Sequence, residues 1–203
     1  MAIAAYSKRN FEYKVIVVNS DIVKVFCAPG GQIGITKGFL EKTERYVNGK
    51  IGKDLIGYVN PETGKTISYE GVTREDVIAA VLGHEMIRVD ARHGMAIYEF
   101  FLIVVPSLLA RLLFENIFPY SVGIFPAIFC AQIRNQELEA DKFGMVNARE
   151  AGYNPIGALV LQEVLKGEEL PRGLFFDLLR ISPLREERQR LLFQEINAHA
   201  LKI

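Results

Sequence analysis

The spacing of apolar residues changes at Thr73, and this change limits what the chain can fold into. Upstream, Phe11–Val18 and Ile22–Cys27 are rich in aromatic and β-branched residues and are separated by the turn-like Asn19-Ser20-Asp21. Pro29-Gly30-Gly31 breaks the chain again before a short strand, Gln32–Thr36. A helix is predicted over Lys37–Tyr46, stopped by Asn48-Gly49. Leu55–Val59 and Thr66–Tyr69 flank Asn60-Pro61-Glu62-Thr63-Gly64, a strong turn signal, and predict a hairpin. From Thr73 the pattern is helical. Thr73 is a natural N-cap with Glu75 and Asp76 in the first turn, and Val77, Ile78, Val81 and Leu82 follow at the spacing of one helical face until Gly94. A second long helix is predicted over Gln132–Glu150, with Gly152 as its stop. Asn154-Pro155 starts a helix running to about Lys166, and Ser182-Pro183 starts a last amphipathic one. The reading is α+β and mainly helical, with a β-rich part (11–70) and a helical part (73–203). At 203 residues without a linker, one domain is expected.

Composition removes several function classes. Lys and Arg number 24 against 24 Asp and Glu, with no basic stripe, so no nucleic-acid partner is expected. Residues Met1–Asn10 lack the apolar run of a signal peptide, which favours a cytoplasmic or membrane-associated location. The most apolar stretch, 95–131, holds two runs, Met95–Ala110 and Ile117–Ala131, each short of the ~18 residues that span a bilayer. They read as buried core helices, with a membrane-surface hairpin as the alternative. Cys27 and Cys130 form no CxxC pair and read as small buried hydrophobes. The glycines at 30 and 31 precede a strand and not a helix, which argues against a phosphate loop.

The chemistry lies in Gly83-His84-Glu85-Met86-Ile87-Arg88. Residues i and i+4 share a helix face, and zinc peptidases place two histidines there, with a glutamate after the first as general base. His84 and Glu85 are present, but Arg88 stands where the second histidine belongs. A guanidinium stays protonated and has no lone pair for a cation. His93, nine residues from His84, falls on nearly the opposite face. The second constellation is Glu137-Leu138-Glu139-Ala140-Asp141. Glu137 is a candidate ligand there, and Asp141, one turn on, can accept from the far nitrogen of a ligating histidine and fix its tautomer.

These pieces, with Ala28-Pro29-Gly30-Gly31, Lys37-Gly38-Phe39-Leu40, Ala91-Arg92-His93 and Ala151-Gly152-Tyr153-Asn154-Pro155, give the chain a family likeness. From Phe11 to Leu192 it resembles the HtpX/BepA/Oma-type zinc metallopeptidases, the gluzincin group that also includes the CAAX prenyl proteases. The resemblance implies a zincin-like domain in which an active-site helix packs on a second motif helix beside a small N-terminal sheet. It implies zinc, with His84 and Glu137 as ligands, Glu85 as general base and Asp141 behind His84. It also implies a peptide or protein substrate extended along the strand Gln32–Thr36. The family commonly carries a histidine before a proline at the last helix, thought to stabilise the oxyanion, and here that place is Ser182 before Pro183.

The chain therefore departs from the pattern at two positions of one site, Arg88 and Ser182. A degenerate site follows, with the fold kept and zinc-dependent endoproteolysis weakened or lost. The alternative is an active zinc metalloendopeptidase that uses a replacement ligand, such as His93 or a water.

Overall fold

The computed structural model describes residues 12–28, 30–51, 57–91, 121–167 and 183–200, with isolated positions at 102 and 106. Ser182, His93, most of the apolar stretch 95–131 and the N-terminal ten residues lie outside them. Among the described residues no helix is long and apolar enough to cross a membrane.

The fold is α+β, and among the described residues it has a small N-terminal sheet and five extended helices. Strands β1 (Lys14–Val18), β2 (Val25–Ala28) and β3 (Gln32–Thr36) form one sheet, and β4 (Gly57–Val59) pairs with β5 (Thr66–Ser68) as the expected hairpin. Helices follow at α1 (Lys37–Lys50), α2 (Arg74–Asp90), α3 (Ser121–Glu150), α4 (Gly157–Val164) and α5 (Arg185–Ala200). One buried cluster draws on both parts of the chain, from Ile33 and Phe39 to Val77, Met86, Met145, Leu159 and Leu192.

The sheet order corrects one expectation. The strand Gln32–Thr36 lies in the middle, parallel to β1 over Lys14–Val18 and antiparallel to β2 over Val25–Ala28. Both of its hydrogen-bonding edges are taken, so an extended peptide cannot add to it. The reason is long-range pairing with β1 and β2; the burial of Ile33, Gly34, Ile35 and Thr36 shows in addition that both faces of the strand are covered. Among the described residues, the unpaired edge on the α2 side belongs to β2. Thr36 N–H donates to the Lys24 carbonyl, so alternation leaves the backbone groups of Val25 and Cys27 facing outward.

Helix α3 begins at Ser121, not near residue 132, so the end of the apolar stretch and the Glu137 motif share one helix. Its C-terminus follows the expected rule. Gly152 has φ 89°, and Tyr153 N–H donates to the Ala148 carbonyl. Helix α2 opens with a reciprocal cap, in which Thr73 N–H donates to Asp76 and Asp76 N–H donates to the Thr73 hydroxyl. The same Asp76 accepts from Asn154 N–H and ties the α2 start to the turn before α4.

Two glycines let α2 and α3 cross closely. A Cβ on Gly83 would lie 2.4 Å from the Gly144 carbonyl oxygen, and one on Gly144 would lie 2.5 Å from the His84 nitrogen. Gly144→Ala is expected to destabilise the protein by about 1–3 kcal/mol, because the clash is with backbone that cannot rotate away. Urea unfolding measures this, and unchanged stability would mean that the helices do not cross here.

Candidate functional site

The α2–α3 crossing brings five of the sequence-identified residues together: His84, Glu85, Arg88, Glu137 and Asp141. His84 is 6% exposed, Glu85 3% and Asp141 4%. His84 Nδ1 lies 2.8 Å from Asp141 Oδ1, so the carboxylate accepts the ring N–H and turns Nε2 toward Glu137, whose Oε2 is 3.4 Å away. This is the contact that the spacing of Glu137 and Asp141 anticipates. Arg88, about a third exposed, places Nη1 3.4 Å from Glu85 Oε1 and Nε 3.3 Å from Glu137 Oε1. Its Nε is buried without an aligned hydrogen bond, so the Glu137 contact is one of charge. The guanidinium thus bridges the two carboxylates between α2 and α3.

Two further residues join the site. Arg188 of α5, with its side chain 12% exposed, forks onto Asp141 and gives Oδ1 a contact of 2.6 Å from Nη2. Arginines stand at 185, 188 and 190, and composition alone does not separate them. The available signal is that Arg188 stands four residues before the fully buried Leu192, on the core stripe, where a cation needs an internal anion. The other residue is Cys27 on β2. It is half-buried, and burial and then the charge and hydrogen bond of Glu85 push its thiol up to about 12, so it stays protonated. Neither cysteine is joined in a disulfide among the described residues.

The charges shift one another. Burial alone would lower His84, but hydrogen bonds to Asp141 and Glu137 carry it up to about 9. Burial alone would raise Glu137, but contact with His84 and the charges of His84, Arg88 and Arg188 hold it at about 2. Asp141 is likewise held well below the carboxylate range against its burial, chiefly by Arg188. The signs fix a pH profile for the metal-free protein. The His84 contribution is complete below its ordinary 6.5 and is lost as pH rises through about 9. The Glu137 contribution is complete above its ordinary 4.5 and is lost as pH falls through about 2. Chemical unfolding across pH should show an alkaline decline between these His84 limits that His84→Asn abolishes. A decline unchanged in that variant would assign it elsewhere.

Among the described residues the donor set does not complete a zinc site. Catalytic zinc takes three protein ligands and a water. His84 and Glu137 offer two, and the third place holds a cation. Among the described residues no group of three or more His, Cys, Asp or Glu is disposed to hold a metal ion. The pocket over these residues has a volume of about 180 Å³ and reaches Val23, Lys24 and Val25 beside β2.

Comparison with known proteins agrees with this architecture. Mitochondrial metalloendopeptidase OMA1 of Arabidopsis thaliana is 27% identical over 187 residues, which is 90% of this chain and 31% of that protein. The chain therefore spans under a third of that relative's length. The profile described as peptidase family M48, whose members are generally zinc-dependent, matches residues 1–193, and the chain belongs to that family.

Proposed function

We propose that this chain keeps the metallopeptidase fold with an altered site, in which Arg88 takes the place of the metal cation and zinc-dependent endoproteolysis is weakened or lost. His84 and Glu137 are then the surviving ligand pair, Glu85 the former general base and Asp141 the residue that orients His84. Arg88 and Ser182 are the degenerate positions. The observation that carries this reading is the Arg88 guanidinium, 3.3–3.4 Å from both Glu137 and Glu85. It supplies the positive charge that the two carboxylates need. It also leaves Glu85 paired with a cation, not free to take a proton from water. Zinc would have to displace Arg88 and strip a proton from His84, and both requirements weaken binding.

The remaining activity is polypeptide binding. The open edge of β2 beside the pocket can take an extended segment by strand addition at Val25–Ala28, in place of the interior strand Gln32–Thr36. Elemental analysis of the purified chain is expected to find substoichiometric zinc, and unfolded protein substrates are expected to stay intact. One tightly bound zinc per chain, with hydrolysis abolished by chelator and by Glu85→Gln, would overturn the proposal. It would establish the active zinc metalloendopeptidase instead.

A further inference from the structure

We propose that Arg188 is a positioning residue for His84, acting through the plane of the Asp141 carboxylate. The inference rests on reading His84 and Glu137 as the site's ligand pair.

Asp141 is buried and must satisfy two oxygens. His84 Nδ1 uses one position on Oδ1. Arg188 fills the rest, with Nε on Oδ2 and Nη2 on Oδ1. A two-point fork from a planar group fixes the carboxylate plane as well as its charge, whereas a single contact would leave it free to turn about its last bond. The orientation of Oδ1 sets the direction of the His84 ring, and the ring sets where Nε2 meets Glu137 at 3.4 Å. The relay therefore runs from α5 through α3 to α2. None of its members is Arg88, so it operates whether or not that position holds a cation.

A merely structural role is the competing account, since the pair also links α5 to α3. Lysine separates the two: it keeps the charge but presents a point, not a plane. In nitrogen-15 spectra at neutral pH, the parent chain is expected to show a His84 Nδ1–H resonance protected by Asp141. Arg188→Lys, folded by circular dichroism, is expected to lose that resonance, and Arg188→Gln to lose it too where it folds. A parent-like His84 resonance in folded Arg188→Lys would overturn the inference. A second arm uses Arg88→His, titrated with zinc alone. Adding Arg188→Lys there is expected to weaken zinc binding ~10–100-fold, the usual effect of losing an outer partner. If Arg88→His binds no zinc, the ligand-pair reading fails. If it binds zinc equally with and without Arg188→Lys, only the positioning role fails.

Discussion

Asp141→Ala is expected to lower the unfolding free energy by about 3–5 kcal/mol, the range for breaking a buried ion pair from one side. The substitution removes the carboxylate that the Arg188 fork grips and leaves His84 Nδ1–H without its acceptor. A domain is typically stable by about 5–15 kcal/mol, so a large part of the margin goes. The urea midpoint should fall with an unchanged denaturant slope. Combining Asp141→Ala with Arg188→Leu is expected to recover part of the loss, because the second change removes the stranded charge. Additive losses in the double variant would show that the two residues are not energetically coupled, contrary to the fork.

Arg88→His is expected to have the opposite sign in the presence of zinc. The new imidazole stands one turn from His84 on the same face and, with Glu137, completes three protein ligands. At 100–1,000 times its dissociation constant, a ligand bound only by the folded state adds about 2.7–4.1 kcal/mol. Melting temperature should therefore rise with zinc for Arg88→His and stay flat for the parent chain. Arg88→Ala gives the control, since it removes the guanidinium without adding a ligand. It should be less stable than the parent, because buried Glu85 then loses its cation and Glu137 keeps only its contact with His84. Adding Ser182→His to Arg88→His tests whether proteolysis returns with the metal. A zinc response in the parent chain equal to that of Arg88→His would mean that Arg88 does not block the site.

Much of this was legible in one dimension because the signals were local. The switch of apolar spacing at Thr73 separates sheet from helix. The Thr73–Asp76 cap, the Asn60–Gly64 turn and the Gly152 stop each depend on neighbours a few residues away, and each appears in the structure. His84 with Glu85, and Glu137 with Asp141, are likewise short-range patterns. So is the most consequential departure, since i,i+4 spacing alone puts Arg88 on the ligand face.

Tertiary structure decided the partners. Strand order is a long-range property, and nothing in Gln32–Thr36 itself says that β1 and β2 take both of its edges. Arg188 lies 47 residues from Asp141, and only the packing of α5 on α3 pairs them. Gly83 and Gly144 read as ordinary helix glycines until the crossing shows that a Cβ would strike the other backbone. Sequence established which side chains could hold a cation and that one of them had become a cation. Distance through the fold established where that charge goes: between Glu85 and Glu137, because the glycine crossing brings α2 close enough to α3 for one guanidinium to reach both.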